Sequence, residues 1–86
     1  MAMLARYRWV ITEDIIGDGR DTGMQGPANL NVDLTSNRDT FELYDDDKIL
    51  YAKGTIYGDY DGFEPLDDFG EGNWGCTGIK YGGKWL

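Results

Sequence analysis

Histidine is missing from this 86-residue chain, Ser36 is its only serine and Cys76 its only cysteine. Those gaps remove Ser-His and Cys-His nucleophilic pairs and most zinc-site chemistry. A single cysteine allows no internal disulfide, which agrees with a reducing compartment. No run of about 18 apolar residues occurs, so no segment reads as a membrane span. The opening Met1-Ala2-Met3-Leu4 is too short for the apolar stretch of a signal peptide. The expectation is a cytoplasmic protein, one domain over residues 1–86, with no membrane association. Bases are scarce too: 8 Lys and Arg stand against 16 Asp and Glu, a formal net charge of −8.

What is abundant is glycine, with 13 residues, and aromatics, at 14%. Glycine at that density implies many turns and little helix, which favours short strands. The aromatics lie near strand-like segments or in one loop, as expected of a folded domain rather than a disordered acidic tail. A chain this long supports one modest core, burying about 60–65% of the unfolded surface.

The clearest local pattern is Thr40 to Tyr57, TFELYDDDKILYAKGTIY. Two runs rich in aromatic and β-branched residues flank Asp45-Asp46-Asp47, which reads as a hairpin with a polar turn. Pairing Tyr44 with Ile49, Leu43 with Leu50, Glu42 with Tyr51 and Phe41 with Ala52 gathers Phe41, Leu43, Leu50, Ala52 and Ile56 on one apolar face. Glu42, Tyr44, Ile49, Tyr51, Lys53 and Tyr57 take the other, a face that tolerates water.

Before the hairpin, Arg6 to Thr12 alternates as a half-buried edge strand, with Tyr7, Trp9 and Ile11 on one side and two arginines outward, across from acids. Glu13 to Pro27 reads as a glycine-rich loop with Ile15 and Ile16 tucked under the sheet. Its spacing matches neither phosphate-loop pattern, and Asp18 and Asp21 would repel a phosphate. Ala28 to Asn37 fits a strand or one or two helical turns, with the poor strand formers Asn29, Asn31 and Asp33 favouring the turns. Gly58 to Gly75 reads as a long acidic loop that folds Phe63, Leu66, Phe69 and Trp74 back as a lid over one end of the sheet. Cys76 to Tyr81 resumes a strand, and Trp85 is expected to cap the core. The fold class is thus α+β to all-β, a small antiparallel sheet of about four strands with at most one short helix and a long acidic loop.

Leu43-Tyr44-Asp45-Asp46-Asp47, Leu50-Tyr51 and Gly54, then Pro65-Leu66-Asp67-Asp68-Phe69-Gly70, Asn73, Gly75-Cys76-Thr77, Ile79, Tyr81 and Lys84-Trp85, resemble a family of short bacterial and mobile-element proteins. Tyr7-Arg8-Trp9 and Gly26-Pro27 are similar as well. The resemblance covers nearly the whole chain and carries no assigned activity. It implies a small stand-alone protein carried by phages or plasmids, and hence a host-directed inhibitor.

Charge is distributed unevenly. Between Asp39 and Glu71 eleven acids face only Lys48 and Lys53, while the rest of the chain is nearly balanced. That asymmetry disfavours phosphate binding and favours a basic partner, a cation or plain solubility. Asp59-x-Asp61-Gly62-x-Glu64 offers hard oxygen donors but fails the twelve-residue calcium-loop spacing. Asp67 and Asp68, adjacent in sequence, point apart too readily to divide acid and base roles. Cys76 reads as a small buried apolar residue.

The acids interleave with aromatic types enriched at interfaces. The expected contact surface is Asp45, Asp46, Asp47, Asp59, Tyr60, Asp61, Glu64, Asp67, Asp68, Glu71 and Trp74, with no catalytic residue, cofactor or metal ligand. The expected function is a non-enzymatic acidic binding protein: an inhibitor presenting a DNA-like negative surface to a nucleic-acid-binding host defence protein, of anti-CRISPR or anti-restriction type. The alternative is a structural or accessory module binding calcium weakly through the Asp59–Asp68 loop.

Overall fold

The structure, a computed structural model, describes residues 7–26 and 38–86; the expected helix or strand over residues 28–37 lies outside them. Six antiparallel strands, β1 (Tyr7–Asp14), β2 (Gln25–Gly26), β3 (Arg38–Tyr44), β4 (Leu50–Gly58), β5 (Gly78–Tyr81) and β6 (Lys84–Trp85), form one sheet in the order β2-β1-β4-β3-β5-β6. A small antiparallel sheet with one short helix is therefore the architecture, with six strands in place of about four. The additional two are the two-residue β2 and β6, too short to carry an alternating pattern. Both sit at the edges, where short strands leave little backbone for unwanted pairing.

The central hairpin joins β3 to β4 in a register two residues from the expected one: Phe41 pairs with Gly54, Glu42 with Lys53 and Leu43 with Ala52. The cause is the turn. The Asp45 carboxylate accepts the N–H groups of Asp47 (2.9 Å) and Ile49 (3.0 Å), and the Lys48 N–H donates to the Asp45 carbonyl. Lys48 then takes φ 62°, the left-handed residue that follows a type I turn in a three-residue hairpin loop. A bulge at Tyr51, between the Leu43 and Tyr44 pairings, supplies the second residue of the shift. A shift of two preserves side-chain parity, so Phe41, Leu43, Ala52 and Ile56 still share the buried face. Leu50, beyond the bulge, is only half-buried, and Tyr51 turns to pack its ring against Trp74 (6.4 Å).

Trp9 and Ile11 of β1 and Ile79 of β5 complete the apolar face, which Leu66, Phe69 and Cys76 cover. The expected acidic loop is therefore corrected. Its second half is helical, a π turn over Leu66–Gly70 running into α1 (Glu71–Trp74). The turn-forming composition hid it, yet the signs of a helix are present. Pro65 sits at the N-terminal cap, Asp67 and Asp68 occupy the first turn, and Leu66, Phe69, Gly70 and Trp74 recur at helical spacing. Gly75, at φ 69° with its N–H on the Glu71 carbonyl, ends the helix as glycine does best. This segment lies across the face of the sheet rather than over one end.

Several smaller expectations also change. Phe63, expected in the lid with Leu66, Phe69 and Trp74, is exposed. Ile15 and Ile16 are exposed, because both N–H groups donate to the Tyr51 carbonyl and leave the side chains outward. Arg8 lies opposite Tyr57 rather than an acid, and its guanidinium donates to the Gln25 side chain. Trp85 packs over Gly78 on the other face of the sheet instead of capping the core.

Gly54 has a structural role in mid-strand. A Cβ there would overlap the Phe41 ring and the Val10 carbonyl oxygen, so the ring fills the space a side chain would take. Leu43→Ala should cost about 2–5 kcal/mol by urea denaturation. Gly54→Ala should destabilise as well, although alanine normally improves on glycine in a strand. Ile49→Ala, at an exposed site, should change the midpoint little.

Candidate functional site: the acidic surface

Strand parity gathers most of the charged strand residues on one face. Arg8, Tyr57 and Arg38 align across β1, β4 and β3, and two rows further on Glu13, Lys53, Glu42 and Lys80 align across β1, β4, β3 and β5. Both rows project from the face opposite the core. That face therefore bears four bases and two acids in these rows. No Lys or Arg occurs between Lys53 and Lys80, and that interval holds the helical segment covering the core.

The acids of the expected contact surface occupy three places. Asp45, Asp46 and Asp47 form the β3–β4 turn; Asp59, Asp61 and Glu64 follow β4 at its far end; Asp67, Asp68 and Glu71 lie on the helical segment. The nine residues of β4 separate the two ends by roughly 30 Å, at about 3.3 Å per residue. The helical segment lies between them.

Several of the expected contact residues hold the fold together. Asp45 closes the hairpin turn. The Glu64 carboxylate accepts the N–H groups of Asp61 and Gly62, each at 2.7 Å. Oδ2 of Asp68 accepts from the Tyr7 hydroxyl (2.7 Å) and the Trp9 indole (3.0 Å), fastening the helical segment to β1. Tyr60 donates its hydroxyl to Asp39, and Trp74 packs edge-on against Phe69 at 4.7 Å. Asp46, Asp47, Asp59, Asp61, Asp67 and Glu71 remain exposed, and their carboxylates accept no hydrogen bond from the described residues.

The glycine-rich loop after β1 does gather an anion, but one of its own. Buried Asp14 accepts the N–H groups of Gly17 (2.7 Å) and Asp21 (2.8 Å), while its carbonyl takes that of Gly19. The loop is organised around that carboxylate. For calcium, no cluster of three or more metal-binding side chains exists among the described residues, and Glu64 is turned onto its own backbone.

Burial pushes the Cys76 thiol up to about 11, with the Asp45 charge adding to it. A thiol so placed is a poor nucleophile. It should stay inert to a thiol-specific disulfide reagent in the native protein and react once urea unfolds the chain.

Phenols are perturbed in the same direction. Burial, then the Asp68 carboxylate, raises Tyr7 well above the ordinary value of 10; burial, then Asp39, does so for Tyr60; burial, then Glu64, for Tyr81. The folded state thus holds protons that the unfolded chain releases near pH 10. Their contribution to stability is full below that pH and is lost as pH rises through the folded values. The urea midpoint should fall steeply above about pH 10, and Tyr7→Phe should make that fall shallower.

No protein-family model, curated protein or solved structure matches this chain. Among the described residues no helix is long and apolar enough to cross a membrane.

Proposed function

We propose that this chain is a non-enzymatic binding protein whose acidic side engages a basic protein surface. The observation that carries the reading is the clustering of exposed carboxylates at the hairpin turn, the loop after β4 and the helical segment, whereas Arg8, Arg38, Lys53 and Lys80 project, together with Glu13 and Glu42, from the sheet face away from the core.

The spacing supports a particular class of partner. Over roughly 30 Å one strand of duplex DNA carries about nine phosphates. Six exposed carboxylates over a similar span approximate that charge on a rigid support. A protein evolved to neutralise phosphates would accept the array in its basic channel, releasing counterions as DNA does. Charge would steer the encounter and suppress wrong partners. The function is inhibition of a nucleic-acid-binding host protein, of the anti-restriction or anti-CRISPR type, in the cytoplasm.

The chain immobilised in a bacterial lysate should retain a nucleic-acid-binding protein at low salt and release it to duplex DNA competitor. Changing Asp46, Asp47, Asp59, Asp61, Asp67 and Glu71 together to their amides should abolish retention and leave the fold intact, since like charges in one region mostly repel. Retention unchanged by the six substitutions would reduce the acidic surface to a solubility device.

A further inference from the structure

Strand pairing brings together three residues that lie far apart in the sequence. Tyr57 of β4 is flanked by Arg8 of β1 on one side and by Arg38 of β3 on the other. Neighbouring strands stand about 4.8 Å apart, so the three form one continuous row. Parity turns their side chains to the face away from the core, with Arg8 and Tyr57 half-buried and Arg38 exposed. The row carries two positive charges and no acid. Asp39, next to Arg38, is turned to the other face and accepts the Tyr60 hydroxyl. The adjacent row, Gln25, Val10, Thr55 and Thr40, is uncharged. Among the described residues no helix or strand lies over this face, because the helical segment covers the opposite one. Beyond Thr40 the face opens into a cavity of about 390 Å³ lined by Thr12, Thr40, Glu42, Lys53, Gly82 and Gly83.

A phenol ring between two guanidiniums on an open sheet matches what a nucleotide strand offers. Any base has a flat face that stacks on an aromatic ring, and a guanidinium forks onto a phosphate. A guanidinium has several N–H donors, so the bond from Arg8 to the Gln25 side chain fixes its place and leaves others for a ligand. The hydroxyls of Thr40 and Thr55 suit phosphate and sugar oxygens. An acidic peptide would satisfy the arginines but leave the ring unused. The net charge of −8 does not forbid the contact. Asp67 and Glu71 lie across the sheet beyond a helix about 10 Å in diameter, and at about 0.1 M salt the Debye length is itself about 10 Å.

We infer that the row of Arg8, Tyr57 and Arg38 is a docking site for single-stranded nucleic acid. One base stacks on Tyr57, and the phosphates on either side of it rest on the two arginines. Charge complementarity within the row names the occupant. The inference goes beyond the acidic-surface reading and does not depend on it.

The test is an NMR titration of the full chain with an eight-residue oligothymidylate and, separately, with octaglutamate. The oligothymidylate should give saturable shifts centred on Arg8, Tyr57, Arg38, Thr40 and Thr55. Two phosphate contacts predict a loss of about two- to threefold when salt is doubled. Arg8→Gln with Arg38→Gln, and separately Tyr57→Ala, should each weaken binding by about tenfold, whereas Tyr57→Phe, which keeps the ring, should change it by less than about twofold. Amides at Asp59, Asp61, Asp67 and Glu71 together should leave binding no weaker. The amide spectrum away from the row reports whether each variant is folded. No saturable binding, shifts centred elsewhere, no loss in the double arginine variant, or octaglutamate binding as tightly would each overturn the inference. None of these results touches the acidic-surface reading, which is read by retention of a protein and its loss with the six carboxylates.

Discussion

Trp9, Ile11, Phe41, Leu43, Ile56 and Ile79 stand on one face of a sheet, and a helical stretch of about two turns has to keep them from water. Removing a large apolar side chain from water is worth about 1.5–3 kcal/mol, and a domain of this size has few other sources of stability. Much of the molecule follows from that need. Phe41 gains its place because Gly54 leaves room for the ring, and Leu66 and Phe69 reach the sheet because Pro65 and Gly75 bound the helical segment. Asp68 then fastens the segment to β1 through Tyr7 and Trp9. A carboxylate on the acidic side thus takes part in the packing of the core.

The same covering decides where the charge goes. A helical segment laid on the core must turn its polar residues outward, so Asp67, Asp68 and Glu71 face solvent on that side. The opposite face of the sheet, wet and alternating, sets Lys53 between Glu13 and Glu42 and Lys80 beyond Glu42, where cross-strand neighbours of opposite sign are favourable. One-sided burial thus puts the acids of the helical segment on one side of the sheet and the cross-strand charged rows on the other. A binding role would exploit it without any special backbone.

Within the acidic set, position separates structural carboxylates from exposed ones. Asp14, Asp45 and Glu64 each fold onto nearby N–H groups, the local bonding that makes short acidic residues common in turns. Asp46, Asp47, Asp59, Asp61, Asp67 and Glu71 share the composition without the geometry. The aromatics divide likewise: Tyr60 and Trp74 are engaged with Asp39 and Phe69, whereas Trp85 keeps much of its ring exposed.

Alternation of side chains was enough to place the central strands, to set Phe41, Leu43, Ala52 and Ile56 on one buried face and to put Trp9 with Ile11 on one side of β1, although it also placed Leu50 there, which the bulge leaves half-buried. A period of two survives even the hairpin register error, because a slip of two residues keeps every side chain on its face. The acidic interval and the buried character of Cys76 were legible for the same reason, being properties of composition and local pattern. The register itself, β2 and β6, and the outward turn of Ile15 and Ile16 were decided by tertiary structure. They depend on the Asp45 cap, the left-handed Lys48, the Tyr51 bulge and hydrogen bonds to a neighbouring strand, none of which a linear pattern encodes. The helical segment lies between the two cases: its caps are written in Pro65 and Gly75, but so short a stretch, rich in glycine, becomes helical only when packing on the sheet offsets its poor propensity.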